Sequence, residues 1–441
     1  MKVLVVGKGA REHALCWRFS QSPKVWGLFC ASGNPGINRT ATPVDIAPID
    51  IDPLARFAES QKIDLTVVGS ENPLALGIVD EFERRGLPIF GPTKAATRLE
   101  ASKSFAKTLM REAGVPTAEW ETFDDPDKAR RFVNARQRPL VIKADGLALG
   151  KGVTVCDDTD SALAAIADAM EKRCFGEAGA RVVVEERLTG EELSFFALCN
   201  GENAVSLGVV QDHKTAFDGD HGPNTGGMGA YCPVPPFDSQ FEQRVMSQVV
   251  RPTLAAMAAR GTPFKGVLFA GLMVDGERIA VLEFNARFGD PECEPLMMRF
   301  EGDLAETLLG VSQGRFADVS FRLSPRSAAT VVLASGGYPG SYATGLPIVG
   351  LEQIDGAEPS GLKVKWAMDK IRVKAFHAGT ALQDGHLVTD GGRVLAVTAM
   401  AEKLERAVSA AYEAAGMIDF EGKQMRRDVG RRALDAAARH G

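Results

Sequence analysis

The sequence lacks the features that mark membrane, nucleic-acid-binding and secreted proteins. Its N-terminal apolar run, Val3–Val6, is interrupted by Lys8 and Arg11, which argues against a signal peptide, and no apolar run is long enough to span a bilayer. The seven cysteines are scattered without a CxxC pair, which excludes a zinc knuckle and a disulfide framework. The net charge is −6, and no lysine- and arginine-rich block stands out except the short C-terminal stretch with Arg426–Arg427 and Arg431–Arg432. We therefore expect a soluble, cytoplasmic protein that binds neither nucleic acid nor membranes.

The length and the element pattern indicate several α/β domains. The 441 residues, 45% hydrophobic and 24% charged, suffice for two to four globular domains. Over residues 1–101, short β-branched runs alternate with helical stretches, which favours a Rossmann-like parallel sheet covered by helices. A β-rich unit then occupies 102–190, antiparallel hairpins occupy 191–325, and a small α+β domain occupies 326–441. In this last domain the pattern predicts strands at 328–335, 363–367, 371–376 and 393–399 and a helix at 402–415.

The segment KADGLALGKGV, residues 143–153, combines three glycines with two lysines. It follows the apolar run Pro139–Ile142, as a phosphate-binding loop follows a strand, but no GKS or GKT supplies a hydroxyl for magnesium. The glycines would let the loop fold over a ligand with Lys151 at its tip, whereas Lys143 starts from the fixed end of the strand. We interpret the segment as a flexible lid over a phosphate, with a ligand-free glycine hairpin as the alternative.

The turn Gly7–Glu12 follows the first predicted strand and opens a helix, which is the context of a dinucleotide fingerprint. However, Glu12 replaces the third glycine, and the second strand ends in Cys30–Gly33 without an acid for a ribose hydroxyl. The pattern is therefore incomplete for NAD. It fits equally a turn that binds a single phosphate at a helix N-terminus and a turn that serves only close packing.

Acidic residues follow a hydrophobic strand in VVVEERLTGEE, residues 182–192. The backbone at Glu186 and Leu188 could bind an adenine edge, and Glu192 could accept the ribose hydroxyls. Surface acids after a strand are common, so a solvated turn is the alternative.

Three polar residues alternate with apolar ones in VLEFNARFGDPECEP, residues 281–295. Period two places Glu283, Asn285 and Arg287 on one face of a strand. A carboxylate and an amide oxygen suit Mg²⁺, and an arginine one step further could stabilise charge on a phosphoryl or acyl oxygen. A solvated strand face is the alternative, but the Gly-Asp-Pro-Glu sequence that follows favours a metal site here, distant from the glycine loop.

These motifs, in this order, resemble the ATP-grasp superfamily, in which two α+β lobes clamp ATP. Across nearly the whole chain the sequence is similar to the phosphoribosylamine–glycine ligase (glycinamide ribonucleotide synthetase) family. The matching motifs are GKGAREHAL, IFGPT, KADGLALGKGV, DHK, GPNTGGMGAY, EFNARFGDPE, HAGT and GGRVL. The sequence departs from the family pattern at Lys8 and Ala10, in VGSENPL, and in a longer segment at 361–374.

The resemblance implies roles for individual residues. The residues implied to bind ATP are Lys103, Lys143, Gly150, Lys151, Glu185, Glu186, Leu188 and Glu192. Those implied to bind the amine and glycine substrates are Gly9, Arg11, Glu12, Lys214, Asn224, Thr225, Gly226, Gly227 and Asp290. Glu283 and Asn285 match the ligands of Mg²⁺ or Mn²⁺, and the implied catalytic residues are Arg287, Lys151 and Asp212.

The resemblance also implies a fold and a reaction. The expected fold is an N-terminal parallel-sheet domain, an ATP-grasp small lobe with a glycine-rich lid, a large lobe with the metal site, and a C-terminal α+β domain. The expected enzyme joins glycine to 5-phosphoribosylamine through glycyl phosphate, giving ADP, phosphate and glycinamide ribonucleotide for purine biosynthesis, as a monomer or weak dimer. The alternatives are another ATP-grasp ligase such as a carboxylase, an NAD(P) oxidoreductase built on the first turn, and a catalytically silent nucleotide-binding protein.

Overall fold

A computed structural model of the chain describes residues 1–148, 152–316, 320–355 and 361–440. In these ranges no helix has both the length and the apolar character needed to cross a membrane.

The N-terminal region is a five-stranded parallel sheet in the order β3-β2-β1-β4-β5 with helices around it, as predicted. Its elements are β1 (Lys2–Gly7), α1 (Ala10–Phe19), β2 (Gly27–Ser32), β3 (Thr42–Val44), α2 (Ile51–Gln61), β4 (Leu65–Val68), α3 (Glu71–Leu76), α4 (Ile78–Arg84), β5 (Ile89–Phe90) and α5 (Lys94–Ala101). The pattern predicts one helix over 74–85, but Gly77, at φ 98°, divides it into α3 and α4. Only glycine adopts this backbone conformation readily, so the helix ends there.

The small lobe is a four-stranded antiparallel sheet in the order β6-β9-β7-β8. Its elements are α6 (Lys103–Ala113), β6 (Trp120–Phe123), α7 (Pro126–Arg136), β7 (Leu140–Ala144), β8 (Val153–Cys156), α8 (Thr159–Ile166) and β9 (Val182–Glu186). In the sequence, Ser102 predicts the start of a helix and Gly114 its end. The structure confirms both for α6, because the Ser102 hydroxyl accepts from the Phe105 N–H (3.2 Å) and Gly114 ends the helix at φ 67°. A π-helical turn, Ala167–Glu171, follows α8.

The large lobe is built on two antiparallel hairpins, both of which the sequence predicts. Its elements are β10 (Glu191–Asn200), β11 (Ala204–Asp212), β12 (Thr215–Phe217), β13 (His221–Asn224), β14 (Gly229–Cys232), α9 (Ser239–Val245), α10 (Arg251–Ala259), β15 (Lys265–Asp275), β16 (Arg278–Asn285), α11 (Cys293–Arg299), β17 (Phe300–Glu301), α12 (Leu304–Ser312) and β18 (Arg322–Leu323). The glycine-rich segment between β11 and β14 contains a small exposed hairpin, β12–β13.

The C-terminal region continues the same sheet. Its elements are β19 (Ser327–Ala334), α13 (Glu352–Asp355), α14 (Gly361–Met368), β20 (Arg372–His377), β21 (Thr380–Gln383), β22 (His386–Thr389), β23 (Arg393–Ala401), α15 (Leu404–Met417) and α16 (Arg431–His440). The predicted strand at 363–367 is wrong, since these residues form α14. Alternation of lysines with apolar residues suggests period two there, but a helix buries Trp366 in the core and brings its Nε1 to 3.4 Å from Glu413.

One eight-stranded sheet runs through the large lobe and the C-terminal region in the order β16-β15-β10-β11-β14-β19-β23-β20. Strand β14 pairs with β11 on one side and with β19 on the other. The backbone hydrogen bonds of this sheet therefore cross the boundary predicted at residue 325. The division of the chain into four domains stays a prediction.

Candidate active site

Two lysines of the small lobe approach the large lobe from different elements. Lys103 is the first residue of α6, and Lys143 lies near the end of β7. Asp145, which directly follows β7, accepts from the backbone N–H (3.0 Å) and the hydroxyl (2.5 Å) of Ser104. This carboxylate joins the start of α6 to the end of β7, so the positions of Lys103 and Lys143 depend on each other.

A buried chain of charges links Lys143 to the hinge strand β9. Its Nζ lies 3.1 Å from Oε2 of Glu185, and the same oxygen is 2.9 Å from Nζ of Lys107. Lys143 also donates to the carbonyl of Leu282 in β16 (2.8 Å), next to Glu283. Burial lowers the pKa of Lys107 to about 8. Glu185 therefore fixes Lys143 where small-lobe and large-lobe strands meet.

Strand β16 carries Glu283 and Asn285 at its end. Burial would raise the pKa of Glu283, but the charges of Lys103, Lys143, Lys214 and Arg287 lower it, so this carboxylate is ionised. The residue paired with it across the hairpin is Gly271, which adds no side chain on this face. Among the described residues no three His, Cys, Asp or Glu side chains form a metal-binding group.

Arg287 lies between two carboxylates from the N-terminal half of the chain. Its Nε is 3.2 Å from Glu71, its Nη2 is 2.9 Å from Glu100, and its Nη1 donates to the carbonyl of Phe288 (3.2 Å). Burial would lower its pKa, but Glu100 and Glu71 raise it. The guanidinium is thus held rigidly and in its charged form.

A second ionic cluster surrounds Lys214. Its Nζ is 2.8 Å from Oδ2 of Asp212 and 3.9 Å from Oε1 of Glu292, which also accepts from the Ser194 hydroxyl (3.0 Å). Burial would lower the pKa of Lys214, but Asp212, Glu292 and Glu192 raise it. Burial also raises the pKa of both Asp212 and Glu292, against the effect of Lys214. The one ammonium group of Lys214 therefore interacts electrostatically with three carboxylates, Asp212, Glu292 and Glu192.

In the turn Gly7–Glu12, the carboxylates of Glu12 and Asp290 accept hydrogen bonds from the groups of the turn. The Gly9 N–H donates to Oε2 of Glu12 (2.6 Å), and the Arg11 guanidinium donates to Oε1 of Glu12 (2.7 Å) and to the Phe288 carbonyl (3.2 Å). The Arg11 N–H lies 3.4 Å from Oδ2 of Asp290. The phosphate-turn interpretation requires backbone N–H groups that face outward toward a ligand. The Gly9 N–H does not face outward, because the Glu12 side chain accepts its hydrogen bond and caps the helix from inside.

The loop Asn224–Gly227 is bound to residues far away in sequence. The Thr225 hydroxyl donates to the Lys214 carbonyl (2.8 Å) and accepts from the Gly227 N–H (2.9 Å). Arg393 of β23 donates to the carbonyls of Gly226 and Asp290, each at 2.7 Å, and pairs with the Asp290 carboxylate (3.1 Å). Arg393, from the C-terminal region, therefore holds both the loop Asn224–Gly227 and the loop after β16 that contains Asp290.

Three family models cover most of the chain. The model of the phosphoribosylglycinamide synthetase N domain matches residues 1–100, that of the ATP-grasp (A) domain matches 101–293, and that of the C domain matches 328–432. The chain belongs to the phosphoribosylglycinamide synthetase family. This confirms the predicted family, the ATP-grasp fold and the class of ATP-dependent ligases.

Full-length relatives of this synthetase family agree with the models. The chain is 46% identical over 442 residues to phosphoribosylamine–glycine ligase of Rhodopirellula baltica, covering 99% of this chain and 98% of the relative. It is 45% identical to that of Brucella melitensis, covering 99% of both. The crystal structure of phosphoribosylamine–glycine ligase from Thermotoga maritima superposes with a TM-score of 0.79 at 32% identity, covering 97% of this chain and 100% of that one.

The fold extends beyond the synthetase family. Biotin carboxylase from Campylobacter jejuni superposes with a TM-score of 0.69 at 16% identity, covering 96% of this chain and 93% of that one. At this identity the likeness shows a shared fold only.

The structure brings most predicted residues to one junction of the lobes, but not all. Gly150 and Lys151 lie outside the described residues. Glu186 and Leu188, in and just after β9, are partly exposed, and Glu186 forms no ion pair with the described part of the chain. The individual roles of all the predicted residues stay predictions.

Several charged residues of the site were missed by sequence reasoning. Glu292 and Arg393 stand within the matched GDPE and GGRVL motifs, so a signal existed for both. Lys107 is four residues after Lys103 on the same helix, which offered a weaker signal. Glu71 stands within the VGSENPL segment, so a signal existed for it, whereas Glu100 carries no local signal because its partner Arg287 is distant in sequence.

Proposed function

We propose that the chain ligates glycine to 5-phosphoribosylamine at the expense of ATP, giving glycinamide ribonucleotide, ADP and phosphate in purine biosynthesis. One observation carries the proposal. The ionised Glu283 stands at the lobe junction among the cations Lys103, Lys143, Lys214 and Arg287. Such a group of fixed cations around one carboxylate suits polyphosphate and carboxylate substrates that react side by side.

The ATP triphosphate binds along Lys103 and Lys143, whose positions are coupled through Asp145. The adenine lies against the hinge Glu185–Leu188, and Glu192 accepts from the ribose hydroxyls. Lys151 closes the site through the glycine loop, which excludes water from a reactive acyl phosphate.

A divalent cation fits the donors of β16. Glu283 is an anionic carboxylate and Asn285 a neutral amide oxygen, and both are hard ligands of the kind that Mg²⁺ and Mn²⁺ accept together with phosphate oxygens and water. When bound, the cation neutralises charge on the phosphates. The choice between Mg²⁺ and Mn²⁺ is left to the experiment below.

The remaining groups act on the reacting atoms. The glycine carboxylate attacks the γ-phosphorus, the bond to the ADP oxygen breaks, and glycyl phosphate forms. Arg287 stabilises charge on the transferring phosphoryl, because Glu71 and Glu100 hold its guanidinium rigidly in place. The amine of phosphoribosylamine then attacks the acyl carbon, phosphate leaves, and the nitrogen loses a proton.

The substrates occupy the two clusters beside the metal ligands. Lys214 binds the glycine carboxylate, while Asp212 and Glu292 face its ammonium group. Phosphoribosylamine lies between the turn Gly9–Glu12 and the loop Asn224–Gly227, close to Asp290. Arg393 holds the loop at Gly226 next to Asp290, which supports the placement of phosphoribosylamine.

An ADP-release assay tests the proposal. Purified protein is given ATP and glycine, with or without freshly prepared phosphoribosylamine, in Mg²⁺ or in Mn²⁺. We expect sustained ADP release only with both substrates, and mass spectrometry should find glycinamide ribonucleotide. Alanine and bicarbonate, each replacing glycine, are the controls, and turnover with bicarbonate would instead indicate a carboxylase. The cytoplasmic location and the monomeric or weakly dimeric state stay predictions.

A further inference from the structure

The basic C-terminal segment that stands out in the sequence is bound to the β12–β13 hairpin. Arg426 is only 1% exposed, although the hairpin itself lies on the surface. Its Nη1 donates to the Thr215 hydroxyl (2.9 Å) and to Oδ1 of Asp220 (2.9 Å). Its Nε and Nη2 form a bidentate pair with Asp428, at 2.8 and 2.7 Å. A buried arginine therefore anchors strand β12 and the turn that connects β12 to β13.

Neighbouring residues of the same segment add contacts to the hairpin. The Arg427 N–H donates to Asp218 (2.7 Å), and the Gly219 N–H donates to Oδ2 of Asp428 (2.9 Å). Arg432 forms an ion pair with Asp220. The tip of the hairpin is thus held by side chains from about 210 residues further along the chain.

The segment also reaches the middle of the Asp212–His213–Lys214 motif. The Gly430 N–H donates to Nε2 of His213 (3.1 Å). Burial lowers the pKa of His213 to about 4, so the ring is neutral at pH 7 and Nε2 can accept this hydrogen bond. The C-terminal segment therefore contacts the chain directly between two residues that face the substrates.

The hairpin connects the two substrate-facing parts of the large lobe. It begins one residue after Lys214 and ends at Asn224, where the loop that contains Thr225 starts. The Thr225 N–H also donates to the Lys214 carbonyl (2.7 Å). A movement of the hairpin would consequently displace Lys214 and the loop together.

We propose that Arg426 is a positioning residue for the substrates. It is not among the residues proposed above to bind ATP or glycine, and it acts by holding the hairpin so that Lys214 and the loop Asn224–Gly227 keep their orientation. The inference rests on the substrate roles proposed above for these residues. Small displacements of positioning groups can cost up to about a hundredfold in rate. Loss of the anchor should therefore lower kcat/KM for glycine and phosphoribosylamine by about 10- to 100-fold, whereas KM for ATP stays close to wild type.

Two variants, Arg426→Gln and Asp220→Asn, weaken the contact between the C-terminal segment and the hairpin from opposite sides. Arg426→Gln removes the charge, and Arg426→Lys restores the charge without the bidentate geometry, so partial rescue is expected. Asp220→Asn leaves Arg426 in place and weakens the hairpin's contacts with Arg426 and Arg432. Asp220 has φ 59°, a conformation that asparagine tolerates, so this variant should fold normally. The matched control is Arg406→Gln, which breaks the exposed C-terminal ion pair with Asp369 (2.8 Å) far from the hairpin.

Steady-state kinetics and hydrogen exchange decide the outcome. Support requires that Arg426→Gln and Asp220→Asn raise KM for glycine or phosphoribosylamine, speed amide exchange at residues 215–224, and leave KM for ATP within about twofold, while Arg406→Gln resembles wild type. The inference would be overturned if kcat and every KM stayed within twofold of wild type in both variants. An equal fall in kcat/KM for ATP, glycine and phosphoribosylamine would also overturn it.

Hydrogen exchange also separates the inference from the proposed function. An inactive wild-type protein would refute the function, but faster exchange at 215–224 in the two variants would still support the anchor. Unchanged exchange there would refute the anchor, whatever the activity.

Discussion

The substitution Arg287→Lys separates a catalytic arginine from a structural one. Nε of Arg287 donates to Glu71 and Nη1 to the Phe288 carbonyl, while Nη2 forms an ion pair with Glu100, so at least two of the five N–H donors remain for a phosphoryl oxygen. Lysine keeps the charge but offers a single nitrogen on a flexible stem. It cannot hold both carboxylates at these distances and also meet the substrate.

The expected magnitudes differ for stability and for turnover. Loss of one hydrogen bond to a charged group costs about 1.5–3 kcal/mol of folding free energy. Domains usually have roughly 5–15 kcal/mol of stability, so the variant should remain almost entirely folded during the assay. Loss of one donor to charge that develops in the transition state lowers kcat by about 10²–10³. Partial unfolding therefore cannot account for the expected loss of turnover.

ADP release at saturating glycine and phosphoribosylamine, at two magnesium concentrations, tests this expectation. We expect kcat to fall while KM for ATP moves little, because Lys103 and Lys143 still bind the nucleotide. Glu283→Gln is the matched comparison, since it weakens a metal ligand and should regain activity at high Mg²⁺. Unchanged kcat in Arg287→Lys, or its full recovery with magnesium, would refute the catalytic role and leave Arg287 as a link between Glu71 and Glu100.

Three further predictions concern the buried charges and the nucleotide. Burial lowers the pKa of Lys107 from 10.5 to about 8, so the unfolded chain binds this proton more tightly. The free energy of unfolding should therefore rise between pH 8 and 10.5 by about 3 kcal/mol more in wild type than in Lys107→Met, as measured by urea unfolding; parallel pH profiles would contradict this. Asp145→Asn should cost about 1 kcal/mol by weakening the cap on α6, and it should raise KM for ATP more than KM for glycine. ATP with Mg²⁺ at a hundred times its Kd should stabilise the protein by about 2.7 kcal/mol in thermal unfolding, whereas NAD(H) should not; a shift with NAD(H) alone would reverse the assignment.

Local chemistry made much of the fold predictable. Ser102 and Gly114 give the ends of α6 because one side chain can cap a helix and the other residue can turn left-handed. Asp275–Gly276 predicts the hairpin between β15 and β16, since this dipeptide suits a tight turn. The alternation of polar residues predicts Glu283, Asn285 and Arg287 on one strand face; β16 carries the first two, but it ends at Asn285, so Arg287 lies beyond the strand.

Long-range contacts were not predictable in this way. Arg287 is 216 residues from Glu71, and no local pattern indicates that acids of α3 and α5 would hold it. Helix α14 was missed because burial of Trp366 outweighs the period-two alternation around it. The split of the helix at Gly77 shows the opposite case, where a single residue visible in the sequence overrides an apolar pattern.

The eight-stranded sheet limits how this chain can be divided. If the chain ended at residue 325, β14 would lose its partner β19 and become an exposed edge strand. All four residues of β14, Gly-Ala-Tyr-Cys, are buried in the full chain, and the strand has neither a charge nor a proline to prevent pairing with another molecule. The ATP-grasp lobe expressed alone should therefore aggregate. Gene fusion or domain exchange at the junction near residue 325 would likewise expose this strand.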